Sequence, residues 1–278
     1  MNDARTAPVQ AIQIDMKSVI ITGAGAGMGL ATARCLRDAG YRVFALDIRP
    51  PLDENGIIPI EVSVTEQSSL DIAAKIVREY TDELYAIVHF AGIYILDSLI
   101  EINEENFKRA YDINLFGAYR VNKTFHSMLK PGSRILITTS ELAPLDPLPF
   151  TGLYALTKSA LDKYAYSLRM ELQLSDIFVS VLRPGAVNTG MLGVSTAALD
   201  KFTSETKLYS YNAGRFKSIV DSVEACSIPA EKVADLALKI VSKKRPAHIY
   251  KINRNPLLLL LNLLPARLQT AIIKRILK

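Results

Sequence analysis

The chain has 278 residues, 49% of them hydrophobic and 22% charged, with a net charge of +5. Ordinary apolar content excludes intrinsic disorder, and two cysteines without a pattern, Cys35 and Cys226, exclude a disulfide scaffold. The positive charge is local: residues 239–278 hold ten Lys or Arg and no acid, while the first 238 hold 23 basic and 28 acidic residues, so a nucleic-acid partner loses its main support.

Residues 1–15 carry Asp3 and Pro8 and no apolar leader core, and they read as an N-terminal extension of a cytoplasmic protein. A β-branched strand is predicted at 17–21 (KSVII), and a helix over 27–39 that Gly40 stops. Strands follow at 41–47 and 57–62, a helix at 68–80, and a fourth strand at 85–90 (YAIVHF). A long helical pattern runs over 104–128, with Asn103 as its cap. Next come a strand at 134–139 (RILITT), a helix at 153–172, a strand at 178–182, a helix at 230–241 and a strand at 248–252. Such alternation demands a mostly parallel sheet covered on both faces, a doubly wound α/β fold in one domain over 16–252. Residues 190–228 break the rhythm and read as a substrate lid at the carboxyl edge of the sheet. His89, His126 and His248 are scattered, so no metal site is expected.

The first strand runs into Thr22-Gly23-Ala24-Gly25-Ala26-Gly27-Met28-Gly29 and then directly into a helix. Glycines let the backbone turn tightly and approach a pyrophosphate, whose charge a helix N-terminus favours. Asp47 ends the second strand, where a carboxylate can accept hydrogen bonds from ribose hydroxyls and repel a 2′-phosphate. That favours NAD over NADP, with Arg49 as the counter-argument. Tyr154 and Lys158 stand four apart and so share a helix face. A neighbouring ammonium favours the phenolate, which would bring a phenol of pKa about 10 toward the range useful for proton transfer. Ser140, just past the fifth strand, can hydrogen-bond the same substrate oxygen.

As a set these motifs resemble the short-chain dehydrogenase/reductase family, over residues 16–252. The glycine turn looks like the family's cofactor loop, Ala91-Gly92 like the end of its Asn-Asn-Ala-Gly element, and Pro184-Gly185-Ala186-Val187-Asn188-Thr189 like its Pro-Gly loop. The resemblance implies a Rossmann-like fold and a catalytic tetrad of Asn114, Ser140, Tyr154 and Lys158. Tyr154 would be the acid/base, Lys158 would lower its pKa and bind the nicotinamide ribose, Ser140 would orient the substrate oxygen, and Asn114 would hold a water through its helix backbone. It implies cofactor contacts from Gly23, Gly27, Met28, Gly29, Asp47, Ile48, Ser63, Val64, Ala91, Gly92, Tyr154, Lys158, Pro184, Val187 and Thr189. The sequence departs from the pattern at His89-Phe90, where the family has Asn-Asn, and at Ser63, where many members have Asp.

These features imply an NAD(H)-dependent oxidoreductase interconverting a secondary alcohol and a ketone, and the resemblance implies a homodimer or homotetramer paired through the helices at 104–128 and 153–172. A 3-oxoacyl-carrier reductase and a non-catalytic dinucleotide sensor are the alternatives. Met191, Leu192, Leu199, Phe202 and Leu208 in the lid, with Leu142, Leu145 and Leu148, which the resemblance places facing the site, suggest a small lipophilic substrate of the steroid, retinoid or long-chain kind. The tail, 253–278, is leucine-rich and basic, and Leu268, Ile272 and Ile276 fall on one helical face. Two readings stay open for it: peripheral contact with a membrane, or a cover over the lid or a subunit contact.

Overall fold

The computed structural model describes residues 16–188, 190–224 and 226–278, and for residues 190–197 and 222–224 the backbone alone. Its centre is a seven-stranded parallel sheet built from β1 (Ser18–Thr22), β2 (Arg42–Asp47), β3 (Ile57–Glu61), β4 (Leu84–His89), β5 (Leu129–Thr138), β6 (Phe178–Pro184) and, after two short strands, β9 (Ile249–Ile252). The short strands β7 (Val187–Asn188) and β8 (Ile228–Pro229) pair with each other. The sheet order is β3-β2-β1-β4-β5-β6-β9, so the winding reverses between β1 and β4. Ligands of open α/β sheets bind in the crevice that such a reversal opens.

The strands are apolar along their length because both faces are covered; every residue of β1 is buried. On one face α2 (Gln67–Tyr80), α4 (Gly117–Phe125) and α5 (Gly152–Leu172) close a core around Phe44, Ile87, Phe125 and Ile135. On the other, α1 (Gly27–Asp38) and α8 (Ala230–Ser242) cover Val19, Ile21, Val88 and Leu136. Gly40, at φ +86°, takes the chain out of α1.

The helical pattern over 104–128 is not one helix. α3 (Glu104–Tyr111), capped by Asn103 as expected, gives way to a single π-helical turn at Asp112–Phe116 before α4 begins. A π-turn adds one residue without disturbing the apolar period much, so the pattern reads through it. β5 starts at Leu129, five residues before its apolar run, because Lys130-Pro131-Gly132 carries no strand signal and the β4–β5 register shifts there.

The segment after β7 folds as two helices, α6 (Gly190–Glu205) and α7 (Ser210–Glu224), over the carboxyl edge of the sheet. The tail folds as α9 (Pro256–Asn262) and α10 (Ala266–Leu277), and Ile273 and Leu277 join Leu199, Phe202 and Phe216 in a third, smaller core. The tail therefore packs on the lid through Ile273 and Leu277, and not through the Leu268, Ile272 and Ile276 face singled out in the sequence. Among the described residues no helix is long and apolar enough to cross a membrane.

Candidate active site

The crevice at the winding reversal begins at the glycine turn. Gly23 sits at φ +70°, and a Cβ on it would stand 2.5 Å from Ala91 N, so only glycine lets β1 run against the end of β4. Gly29 is held equally tightly: a Cβ there would meet Gly23 O at 2.0 Å. α1 follows with no side-chain cap and no acid in its first turn, leaving its N–H groups facing the crevice as an anion cradle.

Asp47 reaches this turn from the end of β2. Its Oδ2 accepts from Gly25 N–H at 3.0 Å and its Oδ1 from Arg49 N–H at 3.0 Å. Each carboxylate oxygen has a lone pair left for a further donor. Ile48 beside it is exposed. Ser63 follows β3, its hydroxyl 2.7 Å from Thr65 Oγ1, and Val64 packs against Gly117 at the start of α4. Turn, Asp47, Ile48, Ser63 and Val64 thus gather at the β1–β3 side of the crevice.

The other side holds the expected tetrad. Asn114 lies in the π-turn and is buried. Its Oδ1 accepts from Ile93 N–H at 2.8 Å, while Nδ2 donates to Ile93 O and Thr157 Oγ1, both at 3.0 Å. It is therefore a saturated buried amide pinning the chain after β4 to α5. Gly92 sits in the gap: a Cβ there would be 3.1 Å from Asn114 Oδ1 and 3.5 Å from Lys158 Nζ. Lys158 is buried and donates to Thr138 O at 3.2 Å, with its Nζ 5.7 Å from the Tyr154 ring centre. Tyr154 meets Tyr94 edge-on at 4.8 Å.

Burial sets the charge states. It pushes the Tyr154 phenol up to about 12, against the opposing pull of the Ser140 hydroxyl, and the Lys158 ammonium down to about 8. The four-residue spacing led us to expect a phenol lowered by its lysine. In the protein alone burial dominates and raises the phenol instead, opposed only by the Ser140 hydroxyl. At pH 7 the pair is a neutral phenol beside an ammonium.

Tyr154, Lys158 and Ser140 line one cavity of about 340 Å³. It extends to Met28 in the glycine turn, to Gly92, and to Pro184 and Val187 on the Pro-Gly loop. Thr189 lies outside the described residues. The donor set and this continuity fit a nicotinamide dinucleotide, with the glycine turn at one end and Lys158 at the other. Leu142 and Leu148 line the cavity as expected, joined by Ile219 and Val220 of α7 and Leu257 and Leu258 of α9. Leu199 and Phe202 do not: they are buried in the lid's own core, while Leu208 points to solvent. The side chains of Met191 and Leu192 lie outside the described residues.

Several supporting residues escape sequence reading. Thr157 accepts from Asn114 and donates to Tyr154 O at 2.9 Å. Asp162 takes two hydrogen bonds from Arg183, at 2.9 and 2.6 Å, and a third from Thr139, tying α5 to β5 and β6. Glu141 lines the cavity and accepts from Asn255 N–H at 2.7 Å, fastening the tail beside Ser140. The spacing of Thr157 from Tyr154 was visible, but no periodicity marks the other two. His89, where the family pattern has Asn, is buried 2.8 Å from Asn122 Oδ1, and Asn122 donates to Tyr164. Burial lowers His89 to about 4, so the imidazole is neutral and the link between β4, α4 and α5 is a neutral hydrogen-bond chain.

Comparison with known proteins agrees with this arrangement. A family model described as short chain dehydrogenase matches residues 17–200. An uncharacterized oxidoreductase, YbbO of Escherichia coli K12, is 32% identical over 183 residues, covering 64% of this chain and 68% of its own. Mouse estradiol 17-beta-dehydrogenase 2 is 30% identical over 207 residues, covering 70% of this chain and 54% of its own. Among solved structures, the aldohexose dehydrogenase of Thermoplasma acidophilum superposes with a TM-score of 0.72 at 19% identity, over 87% of this chain and 96% of that one. The 3-ketoacyl-(acyl-carrier-protein) reductase of Brucella melitensis, complexed with NADH, superposes at 0.67 and 18% identity, over 85% and 96%.

Proposed function

Because the chain belongs to the short-chain dehydrogenase family of oxidoreductases, we propose that it interconverts a secondary alcohol and a ketone on a small lipophilic substrate, with NAD(H) as cofactor. The observation that carries this reading is the shared cavity of about 340 Å³ in which Tyr154, Lys158 and Ser140 meet an apolar wall and the glycine turn.

The dinucleotide supplies or takes the hydride when bound. The chain's part is to hold the oxygen and move its proton. In the reducing direction the neutral Tyr154 donates its proton to the developing alkoxide, and Ser140 donates a hydrogen bond to the same oxygen. A phenol pushed up to about 12 is in the correct state to give a proton at neutral pH. The Lys158 ammonium, lining the same cavity, stabilises the phenolate that remains. In the oxidising direction the Tyr154 phenolate must form first, held beside the Lys158 ammonium, and it then takes the proton of the alcohol hydroxyl. Asn114 and Thr157 act as positioning residues, fixing α5 against the chain after β4.

Asp47 supports NAD(H) through its place at the glycine turn, where its oxygens can take ribose hydroxyls. The apolar wall supports a lipophilic substrate. Exposed Phe116 and Tyr119 near the start of α4 and Leu156, Tyr166 and Met170 on α5 support pairing of subunits through these helices. The test is nicotinamide absorbance with a series of apolar ketones, using NADH and NADPH in turn. Turnover with NADH preferred is expected, and Asp47→Ala should cut that preference about tenfold, the loss of roughly one charge-assisted hydrogen bond. Cofactor binding without turnover of any ketone or alcohol in the series would overturn the reading.

A further inference from the structure

The tail holds more apolar surface than its packing uses. α10 has three faces. Gln269, Ile273 and Leu277 press inward, Ile273 and Leu277 into the lid core, and the Leu277 carbonyl accepts from Asn212 of α7 at 2.7 Å. Arg267, Lys274 and Lys278 form an exposed basic face. Between them Leu268, Ile272 and Ile276 form a stripe turned outward, with Leu268 and Ile276 about half exposed. α9 is exposed as well: Leu257 is 73% exposed, Leu260 59% and Leu263 81%.

These leucines do not dangle from a loose end. Asn262 accepts from Asp146 N–H at 2.7 Å, Gln269 donates to Leu264 O at 2.9 Å, and Glu141 accepts from Asn255. The tail is a platform bonded to the loop beside Ser140, showing a fixed apolar face to its surroundings. Leu257 belongs to both surfaces, since it lines the substrate cavity and is largely exposed. The substrate cavity therefore borders the exposed leucines of α9.

Charge selects the occupant. Arg254, Arg267, Lys274, Arg275 and Lys278 surround the leucines, and the chain has no Asp or Glu after residue 238. Two copies placed face to face here would set like charges against each other. A bilayer with anionic headgroups satisfies both parts, taking the leucines below the headgroups and the cations among them.

We propose that the α9–α10 face lies on an anionic membrane surface, so that the cavity opens toward lipid and receives its substrate from it. The second half rests on the oxidoreductase reading; the first stands without it. The chain has no tryptophan, so a single one reports its own surroundings. Leu263→Trp, titrated with phosphatidylserine–phosphatidylcholine vesicles, should shift its emission to the blue and be quenched by brominated acyl chains. Leu174→Trp, at an exposed site beyond the far end of α5, should do neither. Leu260→Gln combined with Leu263→Gln, two residues outside the cavity lining, should weaken vesicle binding about tenfold or more while leaving turnover of a water-soluble ketone unchanged. No lipid-dependent shift, equal quenching at both sites, or a shift that grows with protein concentration without lipid would overturn the proposal, the last by showing a second copy on this face. Vesicle binding without turnover of any ketone would instead overturn the oxidoreductase reading.

Discussion

The two sides of the substrate cavity are built on different principles. The floor, formed by β5, the π-turn and α5, is held by directional bonds between buried polar groups: Asn114 to Ile93 and Thr157, Lys158 to Thr138, Asp162 to Arg183. The cap, formed by α6, α7 and α10, is held mainly by apolar contact among Leu199, Phe202, Phe216, Ile273 and Leu277. Directional bonds fix positions to a fraction of an ångström, which proton transfer requires. Apolar packing tolerates changes of shape, which a lid and a substrate wall require.

The comparison predicts unequal responses to substitution. Asn114→Leu should do most damage to stability, about 3 kcal/mol, because it leaves the Ile93 N–H and C=O and the Thr157 hydroxyl without their partner. A lowered urea midpoint with an unchanged slope would show it; a loss under about 1 kcal/mol would mean the floor is not held by these bonds.

Lys158 sharpens the contrast, because the floor carries a group placed there at a cost. Its folded value of about 8 lies below the ordinary 10.5, so at pH 7 it is charged both folded and unfolded and the full penalty of burying the charge is present. Between about pH 8 and 10.5 the folded chain sheds the proton that the unfolded chain keeps, and stability rises with pH. Lys158→Met should therefore raise stability at pH 7, by about 2 kcal/mol, while abolishing turnover, and its advantage should shrink above pH 8. Urea midpoints at pH 7 and pH 9.5 check both parts; a less stable variant at pH 7 would contradict them.

In the cap, Leu277→Ala should cost about 1–2 kcal/mol, less than a central core leucine, since the residue sits at the rim of a small cluster. Amide exchange should speed up in α7 and α10 and stay unchanged in α5. Equal acceleration in α5 would mean floor and cap are one cooperative unit.

The same division governs what the sequence discloses. The positions of the strands, the glycine turn, Asp47 at a strand end and the Tyr154–Lys158 face are legible because each rests on local spacing along one element. The π-turn is not, since one extra residue barely alters an apolar period. Nor are Glu141 and Asp162, whose partners Asn255 and Arg183 are distant in the chain. The cap is the least legible part. Leu199 and Phe202 look like cavity lining from sequence, yet serve the lid's own core, while the leucines of α9 supply the wall. An apolar residue in an irregular segment shows that something covers it, but not what.

The most direct test of the proposed chemistry is Tyr154→Phe, which keeps the ring against Tyr94 and removes only the hydroxyl. NADH binding should be retained, while kcat for ketone reduction should fall about a thousandfold, the usual worth of a positioned general acid. A variant that binds NADH and keeps a tenth or more of the parent's turnover, on the order of 1 kcal/mol of barrier, would contradict the account.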